Sequence, residues 1–284
     1  MAPDLLRKEL TLMNVIYPTC CGVDVHKTFL VATIIKTSNG AQPSYQKKRF
    51  STFNSDIRHF KQWLLDNSCF DVCMESTGKY WVPVFNLLED QIHVTIANPK
   101  WVNAVKGNKD DTKDSKWIGD LFRLGLVPGS FIPCKDIRIL REYTRYRFKL
   151  TCCKRSEKNR FQNAFTVCNV ALDAVVTDMF GKSASSITDY LITSDVFDPE
   201  TCKSFLQKSL KKKADAVIES IEGYQMTPSQ KERMLMVRAH LDFVQQSIDS
   251  LDSKLHDLIA PYETAVSLLC TIPGVDRSSA ITII

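Results

Sequence analysis

Apolar and polar positions along the first hundred residues change period several times, and each change predicts an element. Residues 21–25 form a short apolar run, and the β-branched stretch 29–36 predicts a second strand. Ser38-Asn39-Gly40 reads as a hairpin-type turn, with 44–50 as the returning strand. Ile57, Phe60, Trp63 and Leu64 then recur at helical spacing, with Asn54 or Ser55 placed to cap the helix. A short apolar strand over 70–74 follows. A helix over 80–90 carries Val84, Leu87 and Leu88 on one face, and a strand over 93–97 is closed by Asn98-Pro99.

After Pro133 the pattern becomes almost wholly helical. Met234, Val237, Leu241, Val244, Ile248, Leu251, Leu255 and Leu258 follow in alternating steps of 3 and 4. That seam predicts a coiled-coil helix, begun by Thr227-Pro228 and stopped by Pro261. Its partner is either the basic helix near 136–168 or another subunit. In the first part, three strands in meander are followed by helix, strand, helix and strand. This is the order of a ribonuclease-H-like α/β fold, and other α/β folds share parts of it.

Composition narrows the class. Of 284 residues, 44% are apolar and 24% charged, which excludes a collagen-like, mucin-like or wholly disordered chain. No apolar run approaches the roughly 18 residues of a membrane span, so no membrane partner is expected. Residues 1–15 carry Asp4, Arg7, Lys8 and Glu9 and lack the apolar core of a secretory signal. Ten cysteines occur without a Cys-x-x-Cys pair, which suits small buried thiols in a reducing cytoplasm better than zinc ligands. Charge is concentrated. Residues 135–160 hold ten basic side chains against three acids, a net of +7 in a chain whose total is +5. Arginines interleaved with Tyr143, Tyr146, Phe148 and Phe161 suit phosphate and base contacts, and Arg141, Arg145, Arg147, Arg155 and Arg160 are the candidates. The bland alternative for such a run is a solvated helix face. The lysines at 208 and 211–213 read as one.

Four acids carry the candidate chemistry. Asp24 stands among valines in the first strand, where burial is expensive without compensation. Glu75 follows the strand at 70–74, at its carboxyl end, where α/β folds place their chemistry. Asp111 and Asp114 begin an amphipathic helix and share one face by their i, i+3 spacing. Alone, that pair could merely complement a helix dipole, and Glu75 could merely cap a turn. Together the four suit Mg²⁺ or Mn²⁺, which select hard oxygen ligands and serve phosphodiester chemistry. His26 is assigned no metal role.

These residues bring a resemblance. Gly22-Val23-Asp24-Val25-His26-Lys27, Met74-Glu75-Ser76-Thr77-Gly78-Lys79-Tyr80-Trp81 and Lys109-Asp110-Asp111-Thr112-Lys113-Asp114 resemble the DEDD transposases of bacterial insertion sequences, the bridge-RNA-guided recombinases. Ala97-Asn98-Pro99-Lys100-Trp101-Val102, the stretch 140–147 and Thr271-Ile272-Pro273-Gly274-Val275 agree, so the match runs over about 21–275. The resemblance implies a RuvC-like catalytic domain over 1–132 with Asp24, Glu75, Asp111 and Asp114 as its metal-binding tetrad. It implies a basic, coiled-coil helical region over 133–262 and the start of a C-terminal transposase domain over 263–284. It also implies DNA strand cleavage and rejoining, a guide RNA, a homo-oligomer and a place in the bacterial cytosol or nucleoid. Two departures stand out. Asp276 replaces a second glycine after the helix-hairpin-helix-like Pro273-Gly274-Val275, putting a negative charge where a phosphate would be held. The chain also ends at Ile284, ahead of the segment that bears the family's serine nucleophile, and Ser278 and Ser279 do not match it. A truncated transposase is therefore expected. The alternatives are a RuvC-like structure-specific nuclease and a non-catalytic nucleic-acid-binding remnant.

Overall fold

The computed structural model describes residues 14–38, 42–76, 78–102 and 111–284. The hairpin turn predicted at Ser38-Asn39-Gly40 therefore lies mostly outside the described residues. The chain forms two compact units, Met1–Ile132 and Pro133–Ile284. Among the described residues no helix is long and apolar enough to cross a membrane.

The first unit is built on a five-stranded sheet of β1 (Thr19–Val25), β2 (Phe29–Lys36), β3 (Ser44–Ser51), β4 (Asp71–Glu75) and β5 (His93–Ala97). The order across the sheet is β3-β2-β1-β4-β5. The first three strands pair antiparallel, while β4 and β5 run parallel to β1. Antiparallel neighbours need only short turns, and the parallel ones need helical crossovers. Those crossovers are α1 (Asn54–Asp66) and α2 (Trp81–Leu88), followed by the short α3 (Pro99–Val102) and by α4 (Asp111–Arg123).

Alternation along the strands sends side chains to two different cores. Val23, Val25, Leu30, Ala32, Ile34, Val72 and Met74 meet Ile57, Phe60, Leu64, Val84 and Leu88 of α1 and α2 on one face. On the other, Cys20, Ile35, Cys73 and Ala97 meet Ile118 and Phe122 of α4. One local expectation is corrected. Neither Asn54 nor Ser55 caps α1. The cap position is Phe53, with no side-chain hydrogen bond, and Asp56 instead reaches back to accept from the Ser51 amide at 3.1 Å.

In the second unit, α5 (Lys135–Val167) and α9 (Pro228–Ile259) lie antiparallel. Arg147 meets Asp252, Lys154 meets Gln245, and Arg238 sits over the Phe161 ring, so partners advance on one helix as they retreat on the other. Thr227 starts α9 with a capping box to Gln230. The seam is buried at Met234, Val237, Leu241, Val244, Ile248, Leu255 and Ile259, with Ile259 rather than Leu258 as its last fully buried member. Its partner within the chain is α5, which packs Phe161, Phe165 and Leu140 against it towards the two ends and meets it through Arg147, Lys154 and Glu157 between them.

Between the long helices, α6 (Lys182–Thr193), α7 (Pro199–Ser204) and α8 (Ala214–Glu219) gather around Phe161, Phe165, Ile187, Leu191, Val217 and Met234. At the opposite end, α10 (Glu263–Leu269) and α11 (Arg277–Ile283) bury Val266 and Ala280 against Leu140, Leu255 and Ile259.

Candidate active site and nucleic-acid face

The register of β1 on β4 pairs Gly22 with Cys73 and Val23 with Met74, and its continuation sets Asp24 beside Glu75. Both acids lie at the carboxyl ends of their strands, on the face covered by α4. The helix is held there by an approach too close for any side chain. A β-carbon on Gly22 would lie 2.1 Å from the Ser115 carbonyl oxygen and 2.3 Å from the Gly119 amide nitrogen. Beside this contact, the buried hydroxyls of Thr33 and Ser115 share a hydrogen bond of 2.8 Å. Pinning Ser115 over β1 brings the preceding residue, Asp114, to the acid end of the sheet. Asp111 is the first residue of α4, and its side chain lies outside the described residues.

Asp24 is mostly buried, with its side chain 13% exposed. Burial raises its pKa above the ordinary value of 3.8, the charges of Asp114 and Glu75 raise it further, and His26 opposes them. Glu75 and Asp114 therefore each stand within electrostatic reach of Asp24. Among the described residues no three acidic, histidine or cysteine side chains form a ready-made ion cage. The donors nevertheless fit a hard divalent cation in kind and in field, because carboxylate oxygens that repel one another are stabilised by the positive charge.

His26, assigned no metal role from the sequence, is hydrogen-bonded to Asp24. Its Nε2 lies 2.9 Å from Asp24 Oδ2, and its ring is 4.4 Å from the Phe29 ring. The connection from β1 to β2 is only three residues long, and the His26 amide donates to the Phe29 carbonyl at 2.8 Å. So tight a reversal turns the histidine back over the strand end, and the shortness of the connection was the available signal.

The five candidate arginines of α5 divide into two sets. Arg147 donates through Nη2 to Asp252 at 3.0 Å and through Nε to the other oxygen of the same carboxylate. Arg160 is paired with the buried Glu157 one turn earlier. Arg145 and Arg155 are exposed and Arg141 is half-buried. None of these three forms an ion pair among the described residues. Arg141, Arg145 and the exposed Lys149 recur every four residues on the side of α5 turned away from α9. In the second unit Asp276 caps α11, accepting from the Ser279 amide at 2.7 Å.

The sheet order, the strand directions and the acids at the ends of β1 and β4 define a ribonuclease-H-like α/β domain. The model of the IS110-type DEDD transposase family, described as Transposase, matches residues 21–169. That is more than half of the chain, and the chain belongs to this family. No curated protein matches it. Among solved structures, RuvC of Thermus thermophilus is similar at 9% identity and a TM-score of 0.30, over 39% of this chain and 99% of RuvC. The same protein in complex with a Holliday junction substrate is similar at 10% identity and a TM-score of 0.29, with the same 39% and 99% covered. The Fowlpox virus resolvase, in a complex with Holliday junction DNA, is similar at 17% identity and a TM-score of 0.26, over 37% of this chain and 72% of the resolvase.

Proposed function

We propose that this protein is an insertion-sequence transposase whose first unit cuts DNA strands at the acid row and whose second unit holds nucleic acid along α5. The observation that supports the reading is the placement of Asp24 beside Glu75 at the carboxyl ends of β1 and β4, with Asp114 in electrostatic reach of Asp24, in a chain of the DEDD transposase family. Asp24, Glu75, Asp111 and Asp114 would hold Mg²⁺ or Mn²⁺. Such an ion, when bound, supplies a Lewis acid for phosphodiester cleavage and activates the attacking oxygen. The protein's own part is to orient. His26 holds one oxygen of Asp24, and the Gly22 contact sets the distance of α4 from the sheet. Arg141, Arg145 and Arg155 would meet phosphates, with Arg147 and Arg160 serving the helical framework instead. On family resemblance we extend the proposal to a guide RNA and a homo-oligomer, checked by RNA that co-purifies with the protein and by its mass in solution.

The test is Asp24→Asn in the full chain. Calorimetric titration with Mn²⁺ should show binding lost and Mg²⁺-dependent nicking of labelled DNA abolished. Melting should change little, because the substitution removes a charge that is costly to bury. Unchanged Mn²⁺ affinity would reject the acid row as a metal site. A covalent protein–DNA species on denaturing gels would favour a transposase with a nucleophilic side chain over hydrolysis by the acid row alone.

A further inference from the structure

The strand register carries the acid row out to the edge of the sheet. Asp24 pairs with Val31, and Val31 pairs with Arg49 of the edge strand β3. Paired residues share a sheet face, so Arg49 emerges on the face of Asp24 and Glu75, two strand spacings or about 10 Å from Asp24. One row further in, Lys47 pairs with Thr33 and Thr33 with Gly22, which places Lys47 on that face too. Beyond it, Lys116 of α4 lies 4.2 Å over the ring of Tyr45. Lys48 alternates to the opposite face, 5.3 Å over Trp63. Three cations thus follow the α4 side of the β3 edge towards the acids.

Arg49 is the most committed of them. Its guanidinium lies 3.9 Å over the Phe29 ring, and the Phe29 ring lies tilted, 4.4 Å from that of His26, which holds Asp24. A contact with a ring face does not use up the N–H donors of the guanidinium, whose fork matches a phosphate. Arg49 is exposed, so those donors can be reached. The platform also restrains the side chain before any ligand arrives, lowering the entropy lost on binding. Alternate residues of a strand stand about 7 Å apart, a spacing comparable to that of successive phosphates along one nucleic-acid strand.

From this placement we propose that the β3 edge is a backbone track for the DNA strand delivered to the acid row, with Arg49 on Phe29 as its anchor and Lys47 as the next contact. The proposal rests on the reading of the acid row as the cutting site and adds the path by which the strand reaches it.

The experiment uses the full chain without metal and a fluorescein-labelled single-stranded DNA, with anisotropy measured across a salt series. Each lost phosphate contact should flatten the slope of log K against log[salt] by about 0.7 on a single strand. Arg49→Gln and Lys47→Gln should each do so, while Lys48→Gln should leave the slope unchanged. Phe29→Leu should weaken binding without any change of charge, and circular dichroism melts confirm that each variant is folded. An unchanged slope in Arg49→Gln, or an equal loss in Lys48→Gln, would overturn the proposal. So would a loss confined to an RNA of the same sequence. Binding without metal does not depend on the tetrad. Normal binding by Asp24→Asn together with a loss in Arg49→Gln supports the track even if the metal assignment fails.

Discussion

Replacing Gly22 by alanine tests whether the contact between β1 and α4 sets the acid row. The added β-carbon would meet the Ser115 carbonyl oxygen at 2.1 Å, the Gly119 nitrogen at 2.3 Å and the Gly119 α-carbon at 2.7 Å. All three are main-chain atoms, so no side-chain rotation relieves the overlap. Carbon contacts are comfortable near 3.5 Å, so the helix must retreat by about 1 Å. Overpacking costs about 1–3 kcal/mol, and a clash with helix backbone belongs at about 3 kcal/mol. The same retreat carries Asp114 away from Asp24, and a misplacement of about 1 Å at a reacting centre costs on the order of 100-fold in rate.

Gly119→Ala supplies the contrast. Its nearest obstacle is Ile35 Cδ1 at 2.7 Å, the far end of a flexible side chain, followed by the Gly22 nitrogen at 3.1 Å. Alanine also gains about 1 kcal/mol over glycine within a helix, so the net cost should fall below about 1 kcal/mol. Urea denaturation followed by tryptophan fluorescence isolates the effect, because Trp63, Trp81, Trp101 and Trp117 are the chain's four tryptophans and all lie in the first unit. Mn²⁺ titration and DNA nicking on the same samples complete the assay. If Gly22→Ala unfolds within about 0.5 kcal/mol of the parent, the scatter of an ordinary surface substitution, and binds Mn²⁺ normally, the reasoning is refuted.

Thr33→Val and Ser115→Ala should each cost about 1–3 kcal/mol by stranding the partner hydroxyl, and the double variant should recover part of the loss. Strictly additive values in a urea double-mutant cycle would show that the two hydroxyls are not coupled. Arg147→Gln should leave the salt dependence of duplex binding unchanged and lower the stability of the second unit by at most about 1 kcal/mol, since its pair with Asp252 is partly exposed. Arg141→Gln and Arg145→Gln should each flatten the same salt dependence by about 0.9, and an equal effect from Arg147→Gln would contradict this division of roles. Hydrogen bonds from Ser279 hold the Asp276 carboxyl below its ordinary value of 3.8. Its support of α11 is therefore complete above that pH and fades as pH falls through the lowered value. Asp276→Ala should speed amide exchange over 277–283 at neutral pH, and identical exchange in the two proteins would refute the capping role.

The strands and helices of the first unit were legible because each has a clean period and a turn at its end. Residues 29–36 and 93–97 match the observed β2 and β5, and Glu75 closes β4 one residue beyond the predicted run. The contact that organises the acids was not legible, because Gly22 and Gly119 carry no side chain from which a pattern could form. The seam of α9 was equally plain, yet its partner was hidden. The positions of α5 that meet it include Arg147 and Lys154, which a polarity pattern assigns to solvent. For the same reason Arg147 read as a candidate phosphate ligand, while its pairing with Asp252, 105 residues away, left no local pattern. The pair of Arg160 with Glu157 lay within one helical turn and could have been found by spacing alone.

The antiparallel pairing of α5 with α9 also orders events during synthesis. Sixty residues, 168–227, separate the end of α5 from the start of α9. At about 5–20 residues per second, α5 waits roughly 3–12 s before synthesis of its partner begins. Its ends are covered at different times. Phe161 and Phe165 find Leu172, Ile187 and Leu191 within the intervening segment, so the carboxyl-terminal turns can be sheltered early. Leu140, near the other end, is buried by Leu255, Ile259, Val266 and Ala280, which come last. Zippering from the α6–α8 end towards Leu140 is the route this connectivity favours. Between Leu140 and Phe161 the buried side chain of α5 is Glu157, so the waiting middle of the helix has no leucine seam to expose to neighbouring chains.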